Sequence, residues 1–226
     1  MALEDEQLKA YLGKQVPLKK HPFAALNTAL FESGIVIEVE KNKSVEKPIH
    51  ITHVYYAKEP VFIQPRILII GGKSSKVEIV ESTIVVGEKA LFVNSVIEFY
   101  IEENARTDHY NLQIAPSNTH MVNFNQTVQA SNSLFNNHTY ILPDASLVRN
   151  NIHLDLNGTN TESHLFGLYL ASGNQLTDTH TTVNHLYPNC FSNELYKGVL
   201  LDNARGVFSG RIYVAQDAQK TNAFQQ

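Results

Sequence analysis

Ten histidines and one cysteine are the first residues of this sequence that could do chemistry. His180 and His185 precede Cys190 within one short stretch, and imidazole with thiolate is a donor set that suits zinc, iron or copper. In an extended strand, however, an odd separation sends two side chains to opposite faces, so His180 and His185 converge only if a bend intervenes. Cys190 follows Pro188-Asn189 at an expected corner, where a partly exposed thiolate would serve as a nucleophile or persulfide carrier. No base is fixed beside it by spacing, and a buried, inert thiol is the plain alternative. His138, His153 and His164 fall at similar places in consecutive segments and are read as members of a stacked polar ladder. Among the carboxylates, Asp144, Asp202 and Asp217 sit at turns, while Asp108, Asp155 and Asp178 are scattered singly. Sugar cleavage needs a carboxylate pair a few ångströms apart, or a cluster holding calcium, which stacking of segments could still assemble. The phosphate-loop, serine-elbow and His-Glu-x-x-His patterns are absent, and Gly71-Gly72-Lys73-Ser74-Ser75 reads as a polar turn.

The elements that must position these residues are mostly strands. Helical periodicity is confined to the start: Glu4 to Lys14 carries Leu8, Tyr11 and Leu12 and stops at Gly13, and Pro22 opens a second helix through Leu26 and Leu30. From Gly34 onward the pattern changes to short β-branched runs such as Ile35–Val39, Ile49–Val54 and Val77–Val80. This divides the chain into a helical and linker segment, 1–33, and a β region, 34–226. Turn signals recur at Gly72, Glu88, Asn104, Asn118, Asn132, Asp144, Gly158, Gly173, Pro188, Asn203 and Asp217, with steps of about twelve to sixteen residues.

Only Asn157-Gly158 is a good two-residue hairpin signal, which argues against an antiparallel meander closed into a barrel or sandwich. Asn123, Asn125, Gln126 and Thr127, then Asn136, Asn137 and Thr139, then Asn150 and Asn151 place amides and hydroxyls where stacked coils form hydrogen-bonded ladders. Ala90, Ala105, Ala145, Ala204 and Ala218 recur beside corners, where successive coils come close. The expected fold is therefore all-β, a parallel β-helix behind a short helical segment.

Composition narrows the function. A length of 226 residues buries a sizeable core without disulfide or metal staples. A net charge of -4, from 18 basic and 22 acidic groups, leaves no general basic surface for nucleic acid. One cysteine excludes an internal disulfide framework or an all-cysteine metal site within the chain and suits a reducing compartment. Neither a signal-peptide pattern nor a membrane-length apolar run is present, so a cytoplasmic protein with no membrane partner is expected.

The last third carries an ordered set of motifs: Asp178 to His185, then Tyr196-Lys197-Gly198-Val199, then Arg205-Gly206-Val207-Phe208-Ser209-Gly210-Arg211-Ile212-Tyr213-Val214, then Ala218-Gln219-Lys220-Thr221-Asn222-Ala223. This succession resembles the SufB/SufD family of iron–sulfur cluster assembly scaffolds. Weaker similarity at His21-Pro22-Phe23-Ala24-Ala25-Leu26-Asn27 and Glu46-Lys47-Pro48-Ile49 favours the SufD branch.

The resemblance implies a right-handed parallel β-helix and a non-enzymatic scaffold that pairs with a SufB-like scaffold and a SufC-like ATPase, in a complex handling iron, sulfide and ATP. It further implies that the chain is a core piece, ending at Gln225-Gln226 before the family's Cys/His-bearing segment and its C-terminal helical region. No catalytic or cofactor-binding residue is accordingly carried over, no bound cofactor is expected, and a metal role for any position stays open. The glycines Gly198, Gly206 and Gly210 are read as corners or close coil contacts, with Val207, Phe208, Ile212 and Val214 filling the lumen, while Lys197, Arg205 and Arg211 are candidates to face a partner. A homodimer of the isolated chain is a further expectation. Two other functions remain open: a β-helical carbohydrate-active enzyme using Asp155 or Asp178, and a metal-binding protein using His180, His185 and Cys190.

Overall fold

The computed structural model describes residues 6–226. Every strand pair in it is parallel, and the chain winds as a β-solenoid of about 7 turns. One sheet takes β1 (Gly34–Val39), β4 (Arg66–Gly71), β6 (Leu91–Ile101), β8 (Thr119–Gln129), β10 (Leu147–Leu156), β12 (Leu176–His185) and β14 (Arg205–Val214), with the short β3 (Val61–Ile63) beside β6. The other takes β2 (Ile49–Tyr56), β5 (Lys76–Val86), β7 (Arg106–Gln113), β9 (Leu134–Ile141), β11 (Glu162–Ala171), β13 (Phe191–Leu200) and β15 (Asn222–Gln225). We call them the first and second sheets. Every turn signal read from the sequence falls between two of these strands.

The helical start is shorter than its pattern. It comprises α1 (Glu6–Lys9) and α2 (Pro22–Leu30), and the expected beginning at Glu4 lies outside the described residues. Gly13 does end this stretch, at φ +74, and its N–H is taken by a side chain of the solenoid, the Glu98 carboxylate.

One corner column explains the regular spacing. Asn42, Ser74, Asn104, Asn132, Asn160, Asn189 and Lys220 all have φ between 56° and 63°, the left-handed conformation that asparagine tolerates better than most side chains. Through that conformation each of the first six N–H groups points along the solenoid axis to a carbonyl of the next coil, as in Asn104 to Ser131 at 3.0 Å and Asn132 to Thr159 at 2.9 Å. Asn157-Gly158, the one hairpin signal, lies in the Asn160 corner and is tight for another reason: a Cβ on Gly158 would strike the backbone of Ala130 and Ser131 one coil back. Of the corner alanines, Ala105, Ala145 and Ala218 are buried, Ala204 is half-buried and Ala90 is exposed.

The lumen between the sheets is apolar where Ile67, Ile69, Ile97, Phe99, Ile79 and Phe135 meet and polar elsewhere. Ser95 donates to Asn123 (2.6 Å), Asn123 to Asn150 (2.9 Å), and Asn150 exchanges two amide bonds with Gln113 of the opposite sheet (3.0 and 3.1 Å). The expected amide ladder therefore exists, and it crosses the lumen. Asn136 and Gln126 instead face outward, donating to Asp108 (2.5 Å) and Asp155 (2.8 Å).

Gly198 and Gly206 are not corners. Gly198 lies inside β13 opposite Tyr169, whose ring covers it and also touches Gly206, while Gly167 lies in the same way beneath Tyr196. Gly210, inside β14, is covered by the Gln225 side chain. A methyl at position 198 would overlap the half-buried Tyr169 ring, and displacing a packed ring costs about 1–3 kcal/mol. Gly198→Ala should therefore lower the urea midpoint with an unchanged m-value. Val207, expected in the lumen, points outward and is 44% exposed; Phe208 and Ile212 point inward.

Candidate functional site

Helix α2 and the segment before it lie against the outer face of the first sheet over β4, β6 and β8. They are held there by a buried polar cluster. The Arg66 guanidinium donates to Glu98 through Nε (3.1 Å) and Nη2 (2.5 Å), and through Nη1 to Asn27 (3.1 Å) and Thr28 (2.9 Å) of α2. Asn27 in turn donates to the carbonyls of Pro65 and Asn94 (3.0 and 2.7 Å). Burial raises the Glu98 pKa in spite of the opposing charge of Arg66.

Beyond this cover the face is open. A groove of about 890 Å³ runs between Gln15–Ala24 and the outward side chains of β8, β10, β12 and β14. His153, His180, Asp155, Arg149 and Arg211 line it, with Lys20 and His21 on the facing wall. The Asp155 carboxylate accepts from Gln126 (2.8 Å) and Asn184 (2.7 Å) on the coils either side. Asp178 is shared by Arg149 (2.6 Å) and His180 (2.8 Å). The His153 ring meets His21 at 4.5 Å and Phe124 at 5.1 Å, and burial, then His21, Lys20 and His180, push its pKa down to about 4.

The residues of the metal reading are not brought together. His180 faces outward onto Asp178, whereas His185 is buried in the lumen with Nε2 against Ser192 Oγ at 2.9 Å, its pKa pushed down by burial to about 4. Alternation along β12 separates them, and among the described residues no three His, Cys, Asp or Glu side chains are grouped to hold a metal ion. Cys190 is buried, its thiol donating to the carbonyls of Gly158 and Tyr187 at 3.2 Å each. Iodoacetamide should accordingly modify Cys190 only in denaturant; rapid labelling of the native protein would contradict this burial.

The carboxylates of the enzyme reading are equally dispersed. Asp178 lies opposite Arg149, so along the strand direction it is six residues, or roughly 20 Å, from Asp155. That exceeds the separation at which two carboxyls act on one glycosidic bond. Asp108 is on the other sheet, tied to Arg106 (2.9 Å) and Asn136. The three histidines read as one ladder do not form one. His153 is on the first sheet, and on the second His138 stacks on Tyr110 (4.5 Å) and tilts onto Phe166 (5.1 Å), while His164 occupies the adjacent column. Lys197, Arg205 and Arg211 are exposed on the outer faces.

A buried array that the sequence reading missed runs through the lumen of the second sheet. His53 Nε2 meets Glu81 Oε1 at 2.9 Å, Glu81 Oε2 meets His109 Nε2 at 3.1 Å, and His109 Nδ1 meets Asn137 Oδ1 at 2.8 Å. Burial opposes charge on Glu81, but the hydrogen bonds from His109 and His53 outweigh it and hold the carboxyl down at about 2. The signal was a polar residue every 28 positions, the separation that recurs through these three bonds.

The model of the SUF-system FeS cluster assembly SufBD core domain matches residues 53–226, from the second strand to the end of the solenoid. The chain belongs to the SufBD core-domain family. An iron–sulfur cluster assembly SufBD family protein of Synechocystis is 30% identical over 237 residues, spanning 99% of this chain and 51% of its own. The iron–sulfur cluster assembly protein SufD of Escherichia coli is 27% identical over 203 residues (88% and 48%), and SufD of Bacillus subtilis 24% over 220 residues (96% and 50%). The chain thus spans about half the length of these curated relatives. Within this SufBD core, no helix of the described residues is long and apolar enough to cross a membrane.

Proposed function

We propose that this chain is the solenoid of a scaffold subunit in an iron–sulfur cluster assembly complex, acting without catalysis of its own in the cytoplasm. In this reading it pairs with a SufB-like scaffold and a SufC-like ATPase. Iron, sulfide and ATP are the cargo and fuel of the complex rather than ligands of this chain. The observation that carries it is the family match over residues 53–226, joined by relatives named SufD. For the isolated chain the same reading includes a homodimer.

The test is co-expression of the full-length protein with SufB-like and SufC-like partners, followed by affinity purification and native mass measurement. A stoichiometric complex is expected. Recovery of the protein alone, with both partners folded, would overturn the reading.

A further inference from the structure

The groove on the first sheet has a charge arrangement that the scaffold role does not use. On its floor His153, Thr182 and Arg211 are register partners on three successive coils, β10, β12 and β14, spaced about 4.8 Å from one to the next. Lys20 stands on the facing wall. The acidic groups nearby are already engaged, Asp155 by two amides and Asp178 by Arg149 and His180. Among the described residues Lys20 and Arg211 have no ion-pair partner, and the side chains of Thr182 and His153 make no hydrogen bond. Two cations, a hydroxyl and a ring N–H, none of them with an acceptor, thus line one cavity.

From this we infer that the groove binds a phosphate-type oxyanion, seated over Thr182 between Arg211, His153 and Lys20. The Arg211 fork matches two oxygens of a tetrahedral anion, Lys20 supplies a mobile point charge, and Thr182 Oγ and the neutral His153 ring each donate one further bond. Burial is the first cause of the depressed pKa values of His153 and His21, and the charge of Lys20 adds to both. At about 890 Å³ the groove is much larger than the anion, and Tyr213 and Leu186 on its lining leave an apolar margin for the remainder of an ester. The shared chemistry is the phosphoryl group, whether free or on a small ester.

Isothermal titration of the whole chain with inorganic phosphate and, separately, with glycerol 3-phosphate tests this, each against sodium chloride at matched ionic strength. Saturable binding is expected with at least one of them. Phosphate binding as well as the ester marks a site for the free anion, and clearly tighter ester binding marks a site that also reads the organic part. Arg211→Gln should weaken binding about tenfold or more, the usual consequence of losing a charge-assisted hydrogen bond, and Thr182→Val by a smaller factor. Arg205→Gln, an exposed arginine of the same strand outside the groove lining, should leave it unchanged. Absence of saturation by about 10 mM of either probe, an equal response to chloride, or undiminished binding in Arg211→Gln would overturn the inference.

Discussion

Replacing Arg66 by methionine will destabilise the fold by about 3–5 kcal/mol, because it strands a carboxylate in a site built around a guanidinium. Glu98 is fully buried and Arg66 is 2% exposed, so water does not take the place of the lost partner. The same substitution removes the bonds to Asn27 and Thr28 and loosens α2 from the sheet. Urea unfolding at neutral pH measures the total effect. The deficit should shrink as the solution is acidified. Burial already raises the Glu98 pKa, losing Arg66 raises it further, and a carboxyl whose folded pKa exceeds its unfolded one favours the fold as pH drops through the folded value. Arg66→Met combined with Glu98→Leu should recover much of the loss, since an apolar pair of similar volume carries no unmet charge. A double variant as unstable as the single one would show that the loss lies in the α2 contacts.

The second large effect concerns Glu81, whose sign is opposite. A carboxyl held at about 2 in the folded chain and near its ordinary value when unfolded contributes on the order of 3 kcal/mol at neutral pH. That contribution is complete above about pH 4.5 and is lost as the pH falls towards 2. Glu81→Gln keeps the shape but not the charge, so the variant should be less stable at pH 7 by roughly that amount, with a flatter acid limb below pH 4.5. His153 and His185, both pushed down to about 4 from an ordinary 6.5, act in a separate window. Their stabilisation is full above 6.5 and declines as the pH falls through 4, and it should persist in the Glu81 variant. Stability measured from pH 7 to pH 3 separates the two contributions. An acid limb identical in both proteins would mean that Glu81 is not held ionised by its histidines.

Neither interaction leaves a local trace, for one reason: Arg66 to Glu98 and Glu81 to His109 join neighbouring coils, so only a comparison at coil spacing, such as the 28-residue recurrence through His53, Glu81, His109 and Asn137, marks the partners. The corners were legible because a left-handed residue leaves a local trace, an asparagine or glycine beside a β-branched run. The faces of His180 and His185 were legible too, since alternation within one strand is also local. The ladder of His138, His153 and His164 failed twice over: consecutive segments belong to opposite sheets, which removes His153, and His164 sits two residues out of register with His138. Val207 was misplaced by apolarity alone: its column faces outward with Asp178 and Arg149, a fact carried by the register and not by the residue. As for the groove, Arg149 with Asp178 and Asp155 with Asn184 each recur at 29 residues, and a comparison at coil spacing would have exposed both pairs.

The hydrogen bonds that fasten residues 11–28 to the solenoid bear on the order in which the molecule can be built. Each strand finds its partner about one coil upstream, so the loops closed during winding are all short and of similar length, which favours stepwise growth as the chain leaves the ribosome. The segment bearing Tyr11 and Gly13 is the exception. Tyr11 bonds to Glu102 across 91 residues and Gly13 to Glu98 across 85, so this segment must wait, unattached, until the coil bearing β6 exists. It precedes β6 in the chain yet docks only after it, and in pulse-labelled refolding the amides of β6 should gain protection before that of Gly13.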